Sequence, residues 1–188
     1  MNYLTQPNQL AVYAGLLGLL ALTSRYEFEL DQDREPLQEI VQSSFSVLGG
    51  LVNDIASNLT NDDALHMLNL ICKIFYVSNQ LQMTRYLLNK LNIEPWILLF
   101  KTILNMDAKP EHSLPTTNTL EVESRNKLIF WKIKGKVAKC TYRMFIKYGN
   151  PKIVEEKEEI IEFANAFWEK YSILLLECHL KIFFAKKD

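Results

Sequence analysis

The chain has 188 residues, of which 48% are hydrophobic, which suits one compact domain or a few stacked repeats. Its formal net charge of −1 argues against a globally basic nucleic-acid-binding protein and against a polyacidic tail protein. The three Cys residues include no CxxC pair, which argues against a disulfide framework and a cysteine-rich zinc module.

The hydrophobic spacing is helical along the chain, and no segment shows the persuasive alternation of a β-strand. The apolar run Leu10–Leu22 has 13 residues, fewer than the roughly 20 that a membrane span needs, so we expect no membrane insertion. Pro36 suits the first position of a helix, whereas Gly149-Asn150-Pro151 is a strong termination signal. The predicted helices lie, in chain order, at residues 9–26, 36–57, 61–79, 82–91 (a short connecting helix), 94–106, 125–148 and 154–184.

The helices alternate with short turns, and pairs of them recur at roughly 45 residues when the predicted surface loop at 107–123 is discounted. This spacing is near the HEAT or armadillo repeat length of about 40–47 residues. A compact helical bundle has the same periodicity. The pattern alone therefore leaves a solenoid and a bundle open.

The sequence shows no recognisable catalytic or cofactor-binding pattern. The histidines are His66, His112 and His179, and only His179 has a close Cys or His neighbour, which is Cys178. Adjacent positions on a helix point about 100° apart, so this pair is poorly placed to hold one metal ion. We predict no catalytic residue, no cofactor and no metal site.

Charge is distributed unevenly along the chain. Residues 1–123 contain 7 Lys and Arg against 14 Asp and Glu, whereas residues 124–188 contain 14 against 8. From Arg125 to Lys152 there are nine basic residues and no acidic one. Five of them step by 3 or 4 along the predicted helix and so form one basic stripe: Lys132, Lys136, Lys139, Arg143 and Lys147.

The basic stripe allows three interpretations. It is a solvated helix face balanced by the glutamates at 155–162, a docking surface for an acidic partner, or a contact with nucleic acid. Direct nucleic-acid binding is disfavoured because the stripe is one helix long on a chain that is not basic overall. The first two interpretations stay open, and under the second the five residues are partner-binding residues.

Short motifs also occur in a characteristic order along nearly the whole chain, from about Tyr13 to Phe184. The most specific stretch runs from Phe130–Lys134 to Phe145–Pro151. The other segments are Leu17–Leu22, Tyr26–Phe28, Pro36–Leu37, Ile71–Tyr76, Trp96, Lys101–Asp107, Glu162–Phe167, Tyr171 and Leu176–Glu177. Taken together they resemble the importin-β (karyopherin-β) family of nuclear transport receptors, in particular its subgroup of importin seven, importin eight and their fungal relatives.

The resemblance implies an all-α fold, an α-solenoid of HEAT-type helical pairs with an ARM-like superhelical path. Residues 1–188 would then be one segment from the N-terminal third of a longer receptor. The implied division has four parts: 9–26 is the second helix of a repeat, 36–79 is one repeat, 94–148 is one repeat with the long loop 107–123, and 154–184 is the first helix of a further repeat.

The resemblance also implies a function without bond chemistry. Family members carry a cargo protein through the nuclear pore by contacts with Phe-Gly nucleoporins, and Ran-GTP releases the cargo in the nucleus. The expected partners are therefore Ran-GTP, Phe-Gly nucleoporins and cargo, and the expected location is cytoplasm and nucleus, with shuttling through the nuclear pore. The alternative is a HEAT-type scaffold or regulatory subunit that mediates protein–protein interaction outside transport.

Overall fold

The computed structural model describes residues 9–24, 35–56, 62–80, 83–106, 128–150 and 158–184. All regular structure within these residues is helical, which confirms the all-α prediction for the described part of the chain. A π-helical turn, Phe167–Tyr171, joins the last two helices. The helices are α1 (Gln9–Ser24), α2 (Glu35–Ala56), α3 (Asp62–Ser78), α4 (Arg85–Leu88), α5 (Lys90–Asn105), α6 (Ile129–Tyr148), α7 (Glu158–Ala166) and α8 (Ser172–Phe184).

The helix boundaries differ most from prediction around α5. The short helix predicted at 82–91 covers only Arg85–Leu88, and α5 begins at Lys90 rather than at 94. The side chain of Asn89 accepts a hydrogen bond from the Leu91 amide at 2.9 Å and so caps the helix. Pro95 lies inside α5 rather than at its start. Because proline has no amide proton, this interior position lacks one helical hydrogen bond. The predicted loop at 107–123 lies outside the described residues.

The helices pack in two layers. In layer A, α2 packs against α5 and α5 against α8, with α4 and α7 on the same side. In layer B, α1 packs against α3 and α3 against α6. Contacts between α2 and α3, and between α5 and α6, join the layers. The pairs α2–α3 and α5–α6 thus each contribute one helix to each layer, which is the packing mode of a helical solenoid.

An aromatic cluster holds the centre of this stack. Phe45 of α2, Phe75 of α3, and Trp96 and Phe100 of α5 are all almost fully buried. The Trp96 ring lies 5.1 Å from Phe45 and 4.9 Å from Phe75 between centroids, and Phe75 packs edge-on to Phe100 at 4.9 Å. These separations are favourable for aromatic pairs. The cluster therefore joins both layers and connects one helix pair to the next.

Polar contacts fix the connections between the helices. Tyr148, at the end of α6, accepts a hydrogen bond from the Met83 amide at 3.0 Å, across 65 residues of sequence. Lys134 of α6 donates to the carbonyl oxygens of Leu104 and Met106 at the carboxyl end of α5. A cation suits that position because the last carbonyls of a helix carry partial negative charge. These contacts orient α6 relative to both neighbours.

Both ends of the described stack expose apolar side chains. Leu10, Leu17 and Leu22 of α1 are exposed at one end, and Trp168, Ile173, Leu176 and Leu180 are exposed on the last helical segment. No helix among the described ranges combines the length and hydropathy that a membrane span requires.

Replacing Trp96 by Ala is expected to remove the centre of the aromatic cluster and lower the free energy of unfolding by about 3–5 kcal/mol. Trp168→Ala is the matched control, because Trp168 is 55% exposed whereas Trp96 is 2% exposed. Urea unfolding followed by circular dichroism measures both variants. Equal destabilisation of the two would contradict the central role of the cluster.

His179 of α8 is expected to make stability depend on pH. Its Nε2 lies 2.7 Å from Thr141 Oγ1 on α6, and burial lowers its pKa. The folded chain therefore keeps His179 neutral at pH values where the unfolded chain binds a proton, so stability falls as the pH decreases through about 6.5. His179→Gln should reduce the loss of stability between about pH 7 and about pH 5. Parallel pH curves for the wild-type chain and His179→Gln would refute this.

Candidate functional site

The five residues of the basic stripe lie on α6, as the spacing predicts. The buried side of this helix includes Val137, Cys140 and Met144. Because the helix has 3.6 residues per turn, the basic residues fall on one side of α6 and the buried apolar residues on the other. The five residues are not equally exposed: Lys132 and Lys139 are exposed, whereas Lys136, Arg143 and Lys147 are half-buried.

The half-buried part of the stripe packs on Tyr76 of α3. Arg143 Nη2 donates a hydrogen bond to the Tyr76 hydroxyl at 2.7 Å, and the guanidinium carbon lies 3.9 Å from the Tyr76 ring centroid. Lys136 Nζ lies 4.7 Å from the same centroid. Cations at this distance are attracted to the electron-rich face of an aromatic ring. Tyr76 therefore holds two of the five cations in place.

Lys73 extends the cationic cluster onto α3. The pKa of Lys136 is lowered, first by burial and then by repulsion from Lys139; Cys140 acts in the opposite direction, and Lys73 and Arg143 lower the pKa further. The charged side chains that act on Lys136 are therefore cations. We call the combined set the basic surface: Lys73, Lys132, Lys136, Lys139, Arg143 and Lys147.

Sequence reasoning missed Lys73 and Tyr76 as members of this site. Tyr76 was visible only as part of the apolar stripe of its helix and of the motif Ile71–Tyr76. Its partners Lys136 and Arg143 lie 60 and 67 residues further along the chain, so only the packing of α3 on α6 brings them together.

The two layers carry opposite charge. The helices of layer B contain seven Lys and Arg and two Asp, both of which lie at the start of α3. The helices of layer A, with the π-helical turn, contain five Lys and Arg and nine Asp and Glu. The charge imbalance along the sequence thus corresponds to a difference in charge between the two layers of the fold.

A small cleft lies beside the basic surface, between α3 and α6. It has a volume of about 10 Å³, and its walls include Phe75, Tyr76, Met83 and Arg143. This is room for about one water molecule. Arg143 Nη1 is buried and has no hydrogen-bond partner among the described residues. Burial of Arg143 therefore depends heavily on its bond to Tyr76.

The buried thiols of Cys72 and Cys140 are poor nucleophiles. Burial raises the pKa of Cys72, and it raises the pKa of Cys140 to about 12. Both thiols are therefore neutral near pH 7, whereas a nucleophilic cysteine acts as its thiolate. Within the described ranges, no three His, Cys, Asp or Glu side chains converge on a possible metal site.

A larger groove lies in layer A, where the start of α5 faces α7 and the π-helical turn. Its volume is about 550 Å³, within the roughly 300–1,000 Å³ typical of ligand sites. The lining combines charged and apolar side chains, including Arg85, Lys90, Ile93, Phe163, Ala166 and Tyr171. The Tyr171 hydroxyl is buried and has no hydrogen-bond partner in the described structure. The groove can accept an apolar side chain beside a polar group.

Comparison with known proteins shows relatives along nearly the whole chain. An importin beta-like SAD2 homologue of Arabidopsis thaliana is 32% identical over 177 residues, which is 91% of this chain and 16% of that protein. Importin-8 of Mus musculus is 28% identical over 96% of this chain, and importin-8 of Homo sapiens is 29% identical over 97% of it. The chain spans 16–17% of the length of these curated relatives.

No family model and no solved structure matches the chain significantly. The relatives confirm the family resemblance, and with the two-layered helical packing they confirm the HEAT-type solenoid prediction. The assignment of individual repeats and of the five stripe residues to partner binding stays a prediction.

Replacing Tyr76 by Phe is expected to keep the ring but remove the acceptor for Arg143. Because this leaves a buried guanidinium with less hydrogen bonding, we expect a loss of about 1–3 kcal/mol in the free energy of unfolding. Tyr142→Phe is the matched control, since Tyr142 is an exposed tyrosine on α6. Denaturant unfolding of both variants tests this, and an unchanged midpoint for Tyr76→Phe would show that the bond does not stabilise the α3–α6 contact.

Proposed function

We propose that this chain, a member of the importin-β family by sequence similarity over nearly its whole length, acts as a segment of a nuclear transport receptor. The observation that carries the proposal is the match over 91–97% of the chain to an importin beta-like protein and to importin-8 of two mammals. The stacked helix pairs support it, because such a stack offers extended surfaces for partner proteins. The alternative that stays open is a HEAT-type scaffold or regulatory subunit outside transport.

The proposed mechanism consists of binding steps only. The receptor takes up a cargo protein in the cytoplasm, passes the nuclear pore through contacts with Phe-Gly nucleoporins, and releases the cargo when Ran-GTP binds in the nucleus. Release then results from negative coupling between two ligands of one flexible solenoid, with a typical coupling energy of about 1–3 kcal/mol. No catalytic residue takes part.

We further propose the repeat division implied by the resemblance. The segment lies in the N-terminal third of its receptor, α1 is the second helix of one repeat, α2 with α3 and α5 with α6 are two repeats, and α7 with α8 is the first helix of another. Packing of α2 on α3 and of α5 on α6 supports this division. Layer B then contains the second helices, which in such solenoids usually line the concave side.

The groove in layer A is the proposed contact for Phe-Gly repeats. It lies between the first helices of two neighbouring repeats in this division. Ile93, Phe163 and the ring of Tyr171 give it apolar walls that suit a phenylalanine side chain. Its partly polar lining suits contacts that are weak and quickly broken, as passage through a pore requires.

The proposal is tested by retention on immobilised Ran. Cell extract is passed over one column loaded with Ran-GTP and a control column loaded with Ran-GDP, and an antibody to this chain detects what is retained. We expect retention on the GTP column only. Retention on neither column would reject the transport function and favour the scaffold alternative, and equal retention on both would reject GTP-dependent release.

A further inference from the structure

We propose that the basic surface binds an acidic, partly apolar segment of a partner protein in extended conformation. The inference deepens the proposed function, since the partner would be a cargo or a regulator of the receptor. It depends on the described helices α3 and α6 rather than on Ran binding, so the two proposals fail separately.

Charge complementarity identifies the chemical class of the partner. The charged side chains that act on the half-buried Lys136 are all cations: Lys139, Lys73 and Arg143. Exposed like charges repel at this spacing, and α1, the other layer B neighbour of α3, has no charged residue. Carboxylates of a partner would relieve this repulsion. An acidic segment is therefore the ligand that gains most from binding here.

The geometry of α6 sets the length of the segment. From Lys132 to Lys147 the helix rises about 22 Å, at about 1.5 Å per residue. An extended chain covers that distance with about seven residues, at about 3.3 Å each. Successive basic residues of the stripe lie about 4.5–6 Å apart along the axis. An extended segment with an acid at alternate positions matches this spacing, because its side chains repeat every second residue on one side.

Part of the surface is already ordered. Arg143 is held by its hydrogen bond to Tyr76, and Lys136 lies over the same ring. Side chains that are fixed before binding lose less conformational entropy on binding than mobile lysines do. The exposed Lys132 and Lys139 would add long-range attraction and a faster association rate.

Apolar side chains border the basic surface on the side of α6 away from α3. Tyr142 and Ile146 are each 64% exposed on this helix. Helical spacing places them beside Lys139 and Arg143. A partner segment with apolar residues between its acids would cover them. We therefore infer an alternating acidic and apolar segment rather than a purely acidic one.

The same features disfavour nucleic acid as the ligand. Binding of single strands relies on aromatic rings that are open for base stacking. Tyr76, the ring within the basic surface, is instead engaged by Arg143 and Lys136, and Tyr142 at its border is a single exposed ring rather than a row of rings for successive bases. Layer A also carries an excess of acidic residues, which would repel a phosphate backbone.

The test is fluorescence anisotropy of the 188-residue chain with a labelled peptide of alternating glutamate and leucine. Lys139→Glu on the basic surface is compared with Lys101→Glu, which makes the same charge change on α5 of layer A. We expect Lys139→Glu to weaken peptide binding about fivefold or more, and Lys101→Glu to change it less than twofold. Raising the salt concentration should weaken binding to the wild-type chain.

Three control measurements make the test decisive. Circular dichroism confirms that both variants keep the helical content of the wild-type chain. A peptide with glutamine in place of glutamate should bind much more weakly, and a single-stranded oligonucleotide should compete poorly. Equal binding to both variants, equal binding of the glutamine peptide, or tighter binding of the oligonucleotide would each overturn the proposal.

Discussion

The structure depends on the aromatic cluster of Phe45, Phe75, Trp96 and Phe100. A HEAT-type helix pair cannot bury its apolar faces alone, so the fold exists only where neighbouring pairs stack. Here rings from three helices of both layers hold the stack together, with centroids 4.9–6.4 Å apart around Trp96. Because this cluster fixes α3 and α5 relative to each other, they form a defined surface on which α6 packs. The positions of the cations on α6 follow from that packing.

Stacking also separates charge. Each helix pair places one helix in layer A and one in layer B, so the composition of alternate helices decides the potential of each side. Layer B receives the basic α6 and the uncharged α1, whereas layer A receives the acidic starts of α2 and α7. A chain with a net charge of −1 thus presents two unlike surfaces. Partners of different charge can therefore recognise different sides of the chain.

Much of the fold could be predicted from the sequence, because helical periodicity is a local property. The stripe on α6 is one example, since steps of 3 and 4 residues define a face without knowledge of the neighbours. The half-burial of Lys136 and Arg143 could not be predicted, because it depends on Tyr76, which lies 60 and 67 residues earlier in the sequence. The predicted start of α5 at residue 94 was wrong for a local reason: the side chain of Asn89 caps the helix, so α5 already begins at Lys90.

The π-helical turn at Phe167–Tyr171 was also beyond sequence reasoning. It inserts one residue into the helical ladder, with the Ser172 amide donating to the Phe167 carbonyl. This wider turn keeps Phe167 and Tyr171 buried while Trp168 remains exposed. Such a turn depends on which side chains meet α5 and α6, and tertiary packing of this kind leaves no periodic signal. The same limit applies to the groove in layer A, whose walls come from three separate segments.

The most direct measurement of the central claim, that layer B is a partner-binding side, is hydrogen exchange followed by mass spectrometry. The chain is compared with and without the glutamate–leucine peptide at saturating concentration. A ligand stabilises the elements it contacts against local opening, so exchange slows there. We expect slower exchange concentrated in residues 62–78 and 129–148, the helices α3 and α6. Slowing concentrated in α5 and α7, or no change in any helix, would contradict the account.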